Sequence, residues 1–491
     1  MSGIEALYPE EQSPLTTNAK VPYVIIAVGF LFFFLMVYPY RDISIPAPVI
    51  VFLGILAFFG LIFLALTQLE LVLVIFAVYI PFSREYAGDF GGVLRAFNLT
   101  NFLMVAILLG VLHQSSIKGE RAFMRTPIDI PVLMFATMGG ISLIRAGMAI
   151  RPESYLDIII PLKQWLTPML GYFLFLAALK DRATSKKVAI AIMVNTALVG
   201  ILTMKEGIDM GTLSTWEKSR VDGIFQHSNT LGAFFAYYSF LIAGIFIEYI
   251  RYPRYWLTAV PFLICARGMS LTISRGAIVS FGFAALVTAF FKSKISFALA
   301  GMLLVLAIVF PEFLPETISG RFYSTVKRDP DFYKPSYEET LESSARTRID
   351  IIRGGVPMVK SRPFLGMGYG MHLYMIGIDT HNTFLKIAIE MGLIALFFFL
   401  VILALIFFCT LYVYRHTDDK FMRAISLGFL GGLGGVAVCN FFGSRLDGTE
   451  FVSYFWILAA IMMKERHLLK EKEMMEREKE DDVVRWENSE L

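Results

Sequence analysis

Cysteine is scarce in this sequence. Its three residues, Cys265, Cys409 and Cys439, each lie inside an apolar run, and none has the paired spacing of a disulfide framework or a zinc site. They read as small packing residues. Charge is scarce as well: 17 % of the 491 residues are Asp, Glu, Lys or Arg, where soluble chains carry about 25 %. Together with a hydrophobic content of 56 %, this excludes a water-soluble globule. The net charge of +3 is small and dispersed, which argues against a nucleic-acid partner, since that needs a clustered basic face. No internal repeat is visible, which counts against a transporter built from duplicated halves. What is present is apolar bulk. The 45 Phe, 21 Tyr and 23 Met exceed what one core could bury, so much of that surface must face lipid or other helices.

Crossing a hydrocarbon layer about 30 Å thick takes roughly 20 apolar residues. About fourteen stretches approach that length: 21–39, 47–67, 68–82, 100–114, 128–147, 157–179, 187–204, 229–249, 254–270, 274–292, 295–311, 382–414, 424–443 and 450–464. The expected fold is all-α, a polytopic transmembrane bundle of about 12–14 helices. Lys and Arg concentrate in the connections around Lys118, Arg121 and Arg125, around Lys180, Arg182, Lys186 and Lys187, at Arg251 and Arg254, at Lys292 and Lys294, and at Arg415, Lys420 and Arg423. All of these fall on one side if the number of spans is even and both termini are cytoplasmic, as the positive-inside rule requires. The organisation expected is a cytoplasmic segment at 1–20, a transmembrane bundle at 21–311, a long periplasmic loop at 312–381, C-terminal transmembrane helices at 382–464 and a charged cytoplasmic tail at 465–491. The first apolar stretch is not a cleaved signal peptide, because Glu5, Glu10 and Glu11 precede it and no small-residue cleavage site follows.

The loop of about 70 residues far exceeds an ordinary connection. Its second part repeats Ile349, Ile352, Val356 and Val359 at helical spacing beside Arg346, Arg348, Arg353 and Lys360, the pattern of an amphipathic helix on the membrane surface. A second outward loop, 205–228, carries Lys205, Lys218 and Arg220. Arg275, in Thr272-Ile-Ser-Arg275-Gly276, stands between two apolar helices with almost no loop, and ionisable groups at such positions tend to be functional. His381, followed by Asn382, precedes a long apolar run. It reads either as an interfacial helix-start residue or as a general base, since imidazole titrates near neutral pH. His227 and His372 face the same side and are its rivals. The Gly-rich stretch Pro363-Phe-Leu-Gly366-Met-Gly368-Tyr-Gly370 lacks the Gly-Lys-Ser/Thr of a phosphate loop. It reads as a flexible turn or as a place where backbone approaches a ligand closely.

The order of these elements resembles the bacterial O-antigen ligase and polymerase superfamily: Arg220 before a helix, Ser274-Arg275-Gly276 at a helix start, Ala345-Arg346-Thr-Arg348 in the long loop, Pro363…Gly366-Met-Gly368, then His381-Asn382 with Gly392 ten residues after Asn382. The likeness extends over about residues 190–410, and Ala395 stands where ligases often carry a second Gly. The resemblance implies an inverting GT-C type glycosyltransferase in the bacterial inner membrane, working on the periplasmic face with no metal or other cofactor. It implies an undecaprenyl-diphosphate-linked glycan donor and an acceptor hydroxyl on lipid A core, on a glycan or on a protein. It implies His381 as the base, and Arg220, Arg275, Arg346, Arg348 and Asn382 as substrate-binding residues, with a ligase, a polymerase or a protein O-oligosaccharyltransferase as the alternatives. The rival from another class is a flippase of lipid-linked oligosaccharide. Ionisable groups at helix ends rather than at the bilayer midplane argue against it.

Overall fold

A computed structural model describes residues 47–83, 99–151, 154–211, 220–310, 319, 343–446 and 448–489. The segment 1–20, the apolar stretch 21–39 and, Ser319 apart, the loop between 311 and 342 lie outside the described residues. Every regular element among the described residues is helical, as it must be where lipid offers the backbone no hydrogen-bond partner. In chain order the helices are α1 (Ala47–Tyr79), α2 (Leu99–Lys118), α3 (Asp129–Gly147), α4 (Tyr155–Ala178), α5 (Arg182–Asp209), α6 (Ser228–Glu248), α7 (Ala259–Leu271), α8 (Arg275–Lys292), α9 (Lys294–Val309), α10 (Ser343–Ser361), α11 (Met371–Ile376), α12 (Thr383–Glu390), α13 (Gly392–His416), α14 (Lys420–Phe442) and α15 (Thr449–Ser489). Among the described residues, nine stretches are long and apolar enough to cross a membrane: Phe58–Phe82, which takes in most of α1 and the short 3-10 turn Ile80–Phe82 after it, then α2 to α6, α8, α13 and α14. The chain is a polytopic all-α membrane protein.

Two features depart from a simple run of spans. Helix α1 breaks at Gln68, whose φ of −138° and ψ of 59° are not helical. The Phe58 ring packs on Phe102 at 4.9 Å, while Tyr79 meets the hydroxyl of Thr100 at 3.5 Å. Both partners lie in the first turn of α2, so the chain turns back at Gln68 between the stretches 47–67 and 68–82. The stretch 382–414, expected as one segment, is two helices. Gly392 takes φ +90°, a left-handed conformation that interrupts the helix between α12 and α13.

The bundle is centred on α6 and α14. In these two, 83 % and 78 % of the most apolar stretch is buried, against 28 to 50 % in the other candidate spans. Lipid provides no hydrophobic drive between helices, so close approach through small residues takes its place. A Cβ added to Gly428 of α14 would stand 2.2 Å from the carbonyl oxygen of Phe240 in α6. At the Lys- and Arg-rich face, Arg182 binds the buried Glu465 at 2.6 Å, Lys186 pairs with Asp419, and Lys292 binds Glu248 at 2.8 Å. These pairs fix one end of the bundle. At the opposite face the ends of α6, α8 and α14 converge.

Candidate functional site

Three helices at that opposite face start in the same way. Gln226 (φ 52°), Ile273 (φ 52°) and His381 (φ 50°) are, among the described residues, the non-glycine residues with positive φ, and each stands two residues before a helix: α6, α8 and α12. Each is followed by an extended N-cap residue whose side chain accepts a backbone N–H: His227 Nδ1 from Asn229 at 3.2 Å, Ser274 Oγ from Ala277 at 3.4 Å, and Asn382 Oδ1 from Leu385 at 2.9 Å. Caps satisfy the free N–H groups of a helix start. The left-handed residues cost about 1–3 kcal/mol each and persist where the surroundings over-determine them, which is characteristic of functional sites.

Between these starts lies a cavity of about 100 Å³ lined by four arginines, Arg220, Arg275, Arg348 and Arg445, with the first turn of α8 and with Cys439 and Phe442 of α14. Arg220 is held by donation from Nε to the Thr272 carbonyl at 2.9 Å and from Nη2 to Asn229 Oδ1 at 2.7 Å. It thereby joins the turn before α8 to the start of α6. Arg348 comes from α10, the helix expected over 346–360. The stripe of α10 turned inward is Arg348, Ile351 and Gly355, while Ile352 and Val356 are exposed, so the helix has an apolar face left for the membrane surface. Arg346 belongs to the same helix, and its side chain lies outside the described residues. The positive end of α8 adds to the field in the cavity. Four guanidinium groups around so small a space repel one another and favour an anionic occupant, with planar forks suited to phosphate oxygens.

The sequence reading missed Arg445. It lies in the turn after α14, where its Nη1 donates to Thr230 Oγ1 at 3.0 Å and its backbone N–H to Asn440 Oδ1 at 3.1 Å. Thr383 Oγ1 donates to the same Asn440 oxygen at 2.5 Å, and Asn440 Nδ2 donates to the Tyr237 hydroxyl at 2.9 Å. Thr380 and Ser444 meet through their hydroxyls at 3.3 Å. This buried network brings the 443–446 turn onto the His381 turn, 60 residues away in sequence. Its one sequence signal is an arginine between two closely spaced apolar stretches, the feature that marks Arg275.

Of the three candidate histidines, His381 has the geometry of a base. Its side chain is 39 % exposed, its backbone N–H donates to Asp379 Oδ2 at 3.0 Å, and its Nδ1 stands 3.6 Å from the same oxygen. Burial holds its imidazole below the ordinary value of 6.5. Asp379 opposes that shift, while Arg348 and Arg445 add to it. The charges of two cavity arginines therefore reach His381, and the ring is neutral near pH 7. Burial acts to raise the Asp379 carboxyl, but Lys386, the His381 amide and Ser444 outweigh it and keep it below the usual range. Lys386 Nζ lies 3.7 Å from Asp379 Oδ1. His227 is committed as the cap of α6, and His372 is 3 % exposed within α11, too deep to meet an acceptor hydroxyl. Asn382 does not line the cavity. Both ends of its amide are used by the protein, Oδ1 as the α12 cap and Nδ2 toward the Phe441 carbonyl at 3.4 Å.

The Gly-rich stretch has a structural partner of its own. Met367 donates to the Ile389 carbonyl at 2.8 Å, Gly368 to that of Glu390 at 3.0 Å, and Leu393 to that of Pro363 at 2.7 Å. A Cβ on Gly392 would stand 2.1 Å from the Phe364 carbonyl oxygen, and one on Gly366 would stand 2.4 Å from the backbone of Glu390. The close approach is thus between two backbone segments. It riveted the far end of α12, and with it His381, to the loop that follows α10.

No curated protein matches this chain. Residues 260–400 match the family described as O-antigen ligase, a stretch that holds Arg275, Arg348, His381 and Gly392 and leaves Arg220 and Arg445 outside, and this match supports the chain's membership of the O-antigen ligase/polymerase superfamily.

Proposed function

We propose that this protein transfers a glycan from an undecaprenyl-diphosphate-linked donor to an acceptor hydroxyl, in the manner of an O-antigen ligase, at the periplasmic face of the bacterial inner membrane. The observation that carries the reading is the four-arginine cavity beside a neutral, Asp379-backed His381. The acceptor O–H loses its proton to His381 Nε2 as its oxygen attacks the anomeric carbon. The bond from that carbon to the phosphate oxygen breaks, and the departing diphosphate takes the electron pair with inversion at carbon. Negative charge grows on the leaving group, where Arg220, Arg275, Arg348 and Arg445 stabilise it. Arg346 extends the cationic run of α10. Asn382 acts by positioning, through its cap on α12.

An apolar groove supports the lipid half of the donor. It holds about 560 Å³ between α8, α9, α13 and α14, with Phe283, Phe290, Phe297 and Phe407 in its walls and Val436 one turn from Cys439 of the cavity. A polyprenyl chain laid there would leave its diphosphate among the arginines.

Loss of one guanidinium removes charge-assisted hydrogen bonds of about 1.5–3 kcal/mol, so Arg220→Ala and Arg445→Ala are each expected to lower kcat/KM by about 10- to 150-fold. Steady-state kinetics with purified donor measure this, and an Arg445→Ala enzyme within twofold of the parent removes that residue from the clamp. The pH profile gives a second check. A base must be neutral to act, so with a depressed His381 the rate persists below pH 6.5 and falls only at more acidic pH. Arg445→Ala takes away one of the depressing charges and is expected to move that acid limb upward. A limb that stays in place disconnects Arg445 from His381.

The acceptor separates ligase from polymerase. Deletion of the gene followed by gel analysis of surface glycans is expected to leave full-length polymer on the lipid carrier with none attached. Single-unit chains would assign the polymerase reaction instead.

A further inference from the structure

A second cationic pocket lies at the other end of the bundle, and the glycan chemistry makes no use of it. Its volume is about 160 Å³, and its wall carries Lys118, Arg121, Lys180 and Lys464 with Glu120 as the one acid among the lining residues. Lys118 ends α2, Lys180 follows α4, and Lys464 lies within α15, so three separate helices deliver cations to one place. Beyond the wall, Asp181 and Glu471 also act on Lys464, but Asp181 Oδ1 is occupied by the Thr184 N–H at 2.8 Å as the cap of α5. The rest of the lining is the polar pair Gln114 and Ser115 and apolar side chains such as Val111, Met124 and Leu176. Beside it, Leu112, Ile117 and Phe123 are 46 %, 72 % and 45 % exposed. Large apolar side chains left bare next to a basic pocket mark the level where headgroup meets acyl chain, and the positive-inside rule assigns this face to the cytoplasm.

We infer that this pocket binds the phosphate of an anionic phospholipid, with the headgroup among Lys118, Arg121, Lys180 and Lys464 and the acyl chains along Leu112 and Ile117. Basic pockets between transmembrane helices on the cytoplasmic side suit such headgroups. A free phosphate shares the charge but gains nothing from the bare apolar border. The site is independent of the proposed transfer reaction.

Native mass spectrometry of the detergent-purified full-length protein, titrated with phosphatidylglycerol or phosphatidylcholine, tests it. Phosphatidylglycerol is expected to be retained preferentially, and K118Q/R121Q/K180Q to weaken that retention by at least about tenfold. A matched variant that removes three exposed cations elsewhere on this face, R251Q/K294Q/R415Q, is expected to retain it. The singles K118Q and K180Q, each monodisperse on gel filtration, are expected to show intermediate losses, which separates a lost site from a misfolded triple variant. Equal loss in both triple variants, no preference between the two lipids, or displacement by millimolar inorganic phosphate would each overturn the lipid site, the last by showing a soluble phosphate site instead.

Discussion

Replacing His381 with alanine is expected to lower glycan transfer by about 10²- to 10⁴-fold, the usual contribution of a positioned general base. Binding of the lipid-linked donor should be nearly unchanged, because in the proposed mechanism the diphosphate is held by Arg220, Arg275, Arg348 and Arg445, which line the cavity from other elements. This split matters, since His381 also occupies a left-handed position with φ 50° and a substitution there could act through the fold. His381→Asn keeps a residue that tolerates that conformation while removing the base, and the same kinetic loss is expected from it. Asp379→Asn should cost less, since Asp379 orients the ring and accepts the His381 amide without meeting the acceptor. If either His381 variant turned over at a near-normal rate, the base would have to be sought elsewhere.

Gly392→Val is expected to be the most damaging change outside the cavity. The added Cβ would stand 2.1 Å from the Phe364 carbonyl oxygen and 2.4 Å from its carbon, on a backbone with φ +90° that a β-branched residue does not adopt. Nothing flexible lies in the way: the obstacle is backbone already tied by the Leu393 to Pro363 hydrogen bond at 2.7 Å. A loss above about 4 kcal/mol is expected, in the range where a single substitution signals a definite steric mechanism. Thermal unfolding in detergent reads it, alongside the transfer rate. Gly354→Ala is the contrasting case. That glycine lies inside α10 with open space around it, so alanine should be neutral or stabilise by about 0.5–1 kcal/mol through helix propensity. Equal thermal behaviour of the two variants would contradict the clamp between the Gly-rich loop and the start of α13.

Much of the architecture was legible because hydropathy and the Lys and Arg distribution are local quantities. The helices α2 to α6, α8 and α14 follow the apolar runs, and α10 appears where the 349–359 spacing calls for a helix. The break at Met391 was not legible. Hydropathy averages across Gly392 and is blind to φ, so an apolar run of unbroken composition concealed two helices. The cavity was legible in part. Arg220, Arg275 and Arg348 could be singled out as charges placed against an apolar background, and all three line it. Arg445 and Asp379 were missed because their placement depends on side-chain hydrogen bonds between distant turns, through Asn440, Thr383 and Ser444. No periodicity records such contacts. The glycines at 366 and 392 were visible as a motif, but which surface each approaches became clear only when the two backbones were seen against one another.

The central claim is that the arginine cavity and His381 carry out a group transfer rather than passage of a lipid across the membrane. The direct measurement is made in detergent, where no compartments exist: purified protein, an undecaprenyl-diphosphate-linked glycan and a lipid A core acceptor, with product and released undecaprenyl diphosphate quantified together. The account predicts glycosylated acceptor and undecaprenyl diphosphate appearing in equal amounts, and neither with His381→Ala. Absence of product from the parent protein in detergent, with movement of the intact lipid-linked glycan between leaflets once it is placed in liposomes, would contradict it.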